Sequence, residues 1–212
     1  PLFYHYPELE AADLDDQYLL GDALLVAPIL YGDGQGPEIF RNGVKMQQRT
    51  VALPPGSWFD LNRGAWLEGG RTVHYAAALD ELPLFVRDGA VVPYYAGPLH
   101  NSRMDLSAVE LHLFCHDQPA QLDYLLDDRE SQHYQSGDYG VACIAATIGN
   151  ESLRVAIAEA GSYPRDTVRF TPVVYGRPEA LELEWIVNDH TEKRPLQTGQ
   201  REWLCRELAV RV

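Results

Sequence analysis

The sequence predicts an all-β chain built from two antiparallel β-sandwiches, on three observations. Short runs that alternate apolar and polar residues recur from about residue 47 onward, as half-buried antiparallel strands do. Clusters such as "PPG", "NRGA", "EGG" and "RDG" separate them with the prolines and glycines that tight connections require. Finally, 212 residues with 46% hydrophobic side chains suffice to bury the cores of two modest sandwiches.

The chain opens differently. Asp13 reads as an N-cap for "LDDQYLL", with Asp15 and Asp16 in the first turn and Gly21 as the stop, which predicts a short helix. "ALLVAPI" follows without alternation, as a strand buried on both faces does, and Pro28 marks where regular pairing lapses. "YGDGQGPEIFRNG" is expected to be an open loop. The first strand series is "QQRTVALP", "SWFDL", "RTVHYA", "LPLFVR" and "AVVPYY". The second, from about Asp105, is "AVELHLFC", "AQLDYLL", "YGVACIAATI", "ESLRVAIAEA", "DTVRFTPVVYG", "ALELEWIV" and "WLCRELAVRV". The turn-rich segment "YYAGPLHNSRMD" is the predicted boundary between them.

Thirty-one acidic against 17 basic residues give a formal charge of -14 and leave no Lys/Arg cluster. Nucleic acid and anionic membrane surfaces are therefore not expected partners, whereas a neutral carbohydrate is indifferent to this charge. No basic leader with an apolar core and no long apolar run is evident, so neither a signal peptide nor a membrane span is expected. Cys115 and Cys143 lie in apolar strand-like runs and read as buried thiols. With Cys205 they make an odd count without paired spacing, which supplies no disulfide framework and favours a reducing compartment such as the cytoplasm.

Several of these stretches resemble one family. "PLFYHYPELEAADLDDQYLLGDALLVAPIL" is similar to the segment that closes the catalytic barrel in glycoside hydrolase family 31, the α-glucosidase and α-xylosidase family. The matching positions are Asp16, Gln17, Leu20, Gly21, Leu24, Leu25, Val26, Ala27 and Pro28. "VALPPGSWFDLNRGAWLEGG" and "DELPLFVRDGAVVP" resemble its proximal C-terminal sandwich, through Leu53, Pro54, Gly56, Trp58, Asp60, Leu82, Pro83, Phe85, Val86, Arg87, Gly89 and Pro93. "YLLDDRESQHYQSGDY" is similar to the acidic turn of the distal domain. There Leu125 and Leu126 replace an aromatic and an acidic residue, and Arg129 replaces a glycine.

The resemblance implies a barrel-end remnant over residues 1–30, with "ALLVAPI" as the last barrel strand, a proximal sandwich over 31–98 and a distal one over 99–212. A complete (β/α)8 barrel takes about 250 residues of its own and cannot fit here. The implied parent hydrolyses α-glycosidic bonds with retention and without a metal or other cofactor. Its two catalytic aspartates lie upstream of this sequence, so these residues are expected to be catalytically silent. The expected partners are the upstream barrel and, through it, a carbohydrate substrate. The alternative is a free-standing carbohydrate-binding or interaction module, against which the orphaned opening of the chain argues.

"WFDLNR" superficially resembles the family's nucleophile motif, but Arg63 stands where a glutamate is required, and Asp60 is expected to be hydrogen-bonded near a turn. Asp127 and Asp128 adjoin in an extended chain and point to opposite faces, so they make no acid/base pair. With Glu130 and Asp138 they could ligate calcium, which takes six to eight oxygens, against the ordinary reading of a solvated acidic turn. His112 and His116 have zinc-like helical spacing but lie about 13 Å apart along a strand, too far to share an ion. His5 reads as packed or surface. Trp58, Trp66, Tyr94 and Tyr95 are the candidates for a sugar-stacking platform, against the ordinary use of such residues in a core or interface.

Overall fold

The computed structural model describes residues 1–9, 15–30, 39–78, 80–95, 108–128, 130–149, 152–161, 168–176, 182–187, 190–195, 197–198 and 203–204. They fall into two compact units, Pro1–Asp88 and Gly89–Val212. Among the described residues, apart from two 3-10 turns, Leu2–Tyr4 and His133–Ser136, every regular element is a strand. Among the described residues no helix is long and apolar enough to cross a membrane.

The first unit holds β1 (Tyr18–Leu20), β2 (Leu24–Val26), β3 (Ile39–Arg41), β4 (Val44–Leu53), β5 (Ser57–Asp60), β6 (Ala65–Glu68), β7 (Arg71–Ala77) and β8 (Leu84–Arg87). They form a five-stranded sheet in the order β1-β2-β8-β5-β6 and a three-stranded sheet in the order β3-β4-β7. Between these layers lie Leu25, Trp58 and Phe85 from the first sheet and Val51, Leu53, Tyr75 and Ala77 from the second, joined by Leu2. This is the two-layer burial that a sandwich requires.

Three expectations change here. Tyr18–Leu20 is a strand, not the predicted helix, and it pairs antiparallel with β2 across the Gly21–Ala23 turn; Asp13 lies outside the described residues. "ALLVAPI" is buried on both faces as expected, but by this unit's own core. β2 runs antiparallel to both β1 and β8, whereas a strand of a (β/α)8 barrel is parallel to its neighbours. It is therefore a sandwich strand and not the last barrel strand. Within the predicted open loop, Ile39–Arg41 forms a hairpin with β4. Its turn is Asn42-Gly43 with both residues at positive φ, the geometry of a type I′ turn.

A clasp fixes the segment around β1 and β2. Among the described residues, β3 pairs with β4 only as far as Met46, and no other strand pairs with that edge of β4 beyond it. The buried Gln17 amide fills it at Ala52, donating to its carbonyl at 2.8 Å and accepting from its N–H at 3.0 Å. From the same strand, Arg49 donates to the carbonyls of Asp16 at 2.8 Å and Pro28 at 2.6 Å. Its guanidinium also meets the Asp16 carboxylate at 2.8 Å. Those two carbonyls flank the β1–β2 hairpin, so one side chain grips both of its ends.

The second unit holds β9 (Ala90–Tyr94), β10 (Ala108–Cys115), β11 (Ala120–Leu126), β12 (Gly140–Ile148), β13 (Ser152–Gly161), β14 (Arg169–Gly176), β15 (Glu182–Val187), β16 (His190–Pro195), β17 (Gln197–Thr198) and β18 (Trp203–Leu204). They form one sheet in the order β16-β15-β13-β12-β11-β9-β10-β14-β18-β17. Most neighbours are antiparallel; β10–β14, β9–β11 and β13–β15 are parallel. Its core collects alternate residues from strands far apart in that order, among them Leu111, Leu113, Ile144, Val155, Phe170 and Trp185. Cys115 is buried with them, but alternation along β12 sends Ala142 and Ile144 inward and leaves Cys143 exposed, correcting the buried reading of that thiol. Cys205 and residues 96–105 of the predicted boundary lie outside the described residues.

Replacing Gln17 by Leu removes both hydrogen bonds and leaves the Ala52 backbone unpaired in a buried place. We expect a loss of about 1–3 kcal/mol, read as a lower urea midpoint at unchanged slope. An unchanged midpoint would show that water satisfies that edge.

Candidate functional site

Two clusters carry most of the polar chemistry. In the first unit Asp60 ends β5 and is wholly buried. Its Oδ1 accepts the backbone N–H groups of Asn62 and Arg63, each at 3.0 Å, and the Tyr75 hydroxyl at 3.0 Å. The Gly64 N–H closes the turn onto the Asp60 carbonyl at 2.8 Å. Arg63 sits with Nε 3.7 Å from Oδ2, and its guanidinium lies 3.9 Å from the centre of the Tyr75 ring. Burial, and then the Asp60 carboxylate, push the Tyr75 hydroxyl up to about 12. This carboxylate organises a tight turn, anchors a phenol from the facing sheet and has no surface open to a substrate.

The acidic turn also works locally. The Asp128 carboxylate accepts from the N–H groups of Glu130 at 3.1 Å and Ser131 at 3.0 Å, and bonds to Ser131 hold it below the usual carboxylate range. Asp138 faces His133 Nδ1 at 3.9 Å, and Arg129 lies outside the described residues. Among the described residues no three His, Cys, Asp or Glu side chains are grouped to hold a metal ion.

The aromatic candidates are not brought together as one platform. Trp58 is a core residue of the first unit, with Nε1–H donating to the Pro54 carbonyl at 2.8 Å. Trp66 is half-buried and packs edge-on against Phe59 at 5.2 Å. Tyr94 belongs to the second unit, where its ring stacks on His112 at 4.3 Å; Tyr95 follows it, half-buried. His112 stacks in turn on Tyr175 at 5.5 Å, and Tyr175 on Phe114 at 4.4 Å. Both imidazole nitrogens are engaged, Nε2 with Glu110 at 3.2 Å and Nδ1 with the Tyr175 hydroxyl at 3.0 Å. His116 lies beyond the end of β10 with Nε2 3.7 Å from Asp117, and His5 is exposed. The Tyr94–His112–Tyr175 row escaped the sequence reading because Tyr175 is 63 residues from His112. Their meeting depends on the parallel β10–β14 pairing, which local patterns do not specify.

Comparison with known proteins agrees with this architecture. Residues 1–92 match the family model described as the glycosyl hydrolase family 31 C-terminal domain. A 1,6-alpha-glucosyltransferase of Sporosarcina globispora is 30% identical over 77% of this chain and 12% of its own length. Alpha-glucosidase 2 of Bacillus thermoamyloliquefaciens is 29% identical over 77% of this chain and 19% of its own. A solved family 31 alpha-xylosidase of Xanthomonas citri superposes with a TM-score of 0.62 at 26% identity, over 84% of this chain and 19% of that one. The chain thus spans less than a fifth of the length of these relatives.

Because the folded state holds Tyr75 protonated well above the ordinary phenol value near 10, the stability that this group contributes is complete below pH 10 and lost as pH rises toward 12. Asp60→Asn removes the charge but leaves burial, so Tyr75 should titrate lower than in the native chain and still above 10. Tyrosine ring carbon NMR reads both values, and an unmoved Tyr75 would mean that Asp60 is not felt by the phenol.

Proposed function

This chain belongs to glycosyl hydrolase family 31 as part of its C-terminal region, and on that premise we propose that it braces an upstream catalytic barrel. The barrel would carry both carboxylates of a retaining α-glycoside hydrolase, which requires two such groups about 5 to 5.5 Å apart. The two units, Pro1–Asp88 and Gly89–Val212, would then serve as proximal and distal sandwiches, and no residue of this chain would be catalytic or bind a cofactor.

The observation that carries the reading is the apolar surface the first unit leaves uncovered. "ALLVAPI" and "LPLFVR" spend Leu25, Ala27 and Phe85 on the unit's own core, so they are not the docking surface. Exposed instead are Phe3 and Tyr4 beside the 3-10 turn, Tyr18 and Leu20 on β1, Leu30, and Phe40 on β3. Among the described residues β1 and β3 are edge strands of their sheets. Apolar side chains on an edge strand suit a covering domain better than water.

The test is hydrolysis of nitrophenyl α-glucoside and α-xyloside by this chain, alone and extended upstream through a full barrel. Activity is expected only in the extended protein. Tyr18→Asp with Leu20→Asp should lower the melting temperature of the extended protein by several degrees and leave that of this chain unchanged, since both residues are already exposed here. Hydrolysis by the chain alone, lost on Asp60→Asn, would overturn the reading.

A further inference from the structure

The second unit's sheet has a face turned away from its core, and one stretch of it has the makings of a ligand site. Alternation and pairing place Glu110, His112 and Phe114 of β10 on that face, opposite Tyr94, Val92 and Ala90 of β9. The bridge Ala90↔Gln121 carries the face on to β11 and so to Asp123 and Leu125. That bridge is all that joins the two parallel strands, so their pairing lapses beyond it. Tyr94 and Leu125, each four residues further on, stand on the two sides of the unpaired stretch and are 44% and 52% exposed.

We infer that this stretch is a carbohydrate-contact site for a neutral oligosaccharide, α-linked and gluco-configured where it rests on the function proposed above, with Tyr94 as the stacking floor and Glu110 and Asp123 as hydroxyl acceptors. It extends the family reading by adding a contact outside any catalytic barrel. Tyr94 packs one side of its ring on His112 and keeps much of the remainder in water, which suits the C–H face of a pyranose. His112 is itself fixed by Glu110 and Tyr175, so the ring is ordered before a ligand arrives and little rotamer entropy is lost on contact.

The carboxylates complement sugar hydroxyls. Glu110 lies directly across the strand pair from Tyr94 and is 40% exposed, with Oε2 on His112 and acceptor capacity to spare. Asp123 is exposed on the Leu125 side, where its bond to the Cys143 thiol pushes that thiol up. Two carboxylates and a formal charge of -14 disfavour an anionic ligand. A cationic peptide is the competing occupant. The single flat ring, with no second aromatic wall described around it, favours a pyranose over a cation, which gains most from a cage of rings.

The 212-residue chain, labelled with nitrogen-15, is titrated with maltotriose, isomaltotriose and, separately, trilysine. Saturable shifts of the Tyr94, Glu110 and Asp123 amides with either saccharide are expected. Binding should weaken about tenfold in Tyr94→Ala and stay within about twofold in Tyr94→Phe, which keeps the ring. Glu110→Gln, which keeps the shape, should weaken it about threefold, and unchanged spectra elsewhere would show that each variant is folded. No shift at 20-fold molar excess of saccharide over about 1 mM protein, binding that ignores Tyr94→Ala, or binding of trilysine alone would each overturn the site. The titration needs no hydrolysis, so its failure leaves the barrel-bracing reading standing, and failure of that reading leaves the titration valid.

Discussion

The first unit depends on a backbone edge completed by side chains. β4 is the middle strand of a three-stranded layer, yet among the described residues β3 covers it only to Met46, and a buried strand edge without partners is costly. Gln17 answers at Ala52 with the donor and acceptor that a strand residue would present, and Arg49 reaches outward from β4 to hold the chain on both sides of the β1–β2 hairpin. With the hairpin held, Leu25 and Ala27 enter the core beside Trp58 and Phe85, and the two layers become one sandwich. Asp16 and Gln17 therefore matter as the points where one sheet is tied to the other.

Asp60 has the same character. Its carboxylate satisfies two N–H groups of its own turn and the hydroxyl of Tyr75, a residue of the other sheet. A buried charge is tolerated when such donors surround it, and here Arg63 adds a cation at the rim. Nearby, Gly69 runs so close to the "PPG" connection that a Cβ there would lie 1.9 Å from the Pro54 carbonyl oxygen. The turn residues shared with the family motif hold these connections together.

Much of the fold was legible because strands with one wet face announce themselves. "AVELHLFC" names its inward residues by alternation, whereas the unbroken apolar run in "YGVACIAATI" conceals that Cys143 faces outward. The errors have physical causes. In "YLL" every residue is apolar, so the alternation of exposed Tyr18 and Leu20 with half-buried Leu19 is invisible, while the acids before it imitate a helix start. Unbroken "ALLVAPI" correctly signals burial on both faces but says nothing of strand direction, and the barrel assignment came from resemblance. The β3–β4 hairpin was readable: Asn42-Gly43 is a strong two-residue turn signal, overlooked beneath the glycines before it. Trp58 was ambiguous in principle, since an indole serves a core or a sugar equally well until its surroundings are known.

The site was less legible than the fold, and the reason bears on what this region does. Relatives that match the same stretch are named for glucosyl transfer and for α-glucosidase activity. A shared sandwich beneath different reactions fits a division of labour in which the fold supports and the reacting groups sit elsewhere. The side chains here agree, since the carboxylate most like a nucleophile is sealed inside its own turn. What remains free to contact something is surface: apolar edges on the first unit and an ordered aromatic ring between carboxylates on the second. Surfaces of that kind follow from which strands are neighbours, and neighbours such as β10 and β14 are settled by the whole chain rather than by any stretch of it.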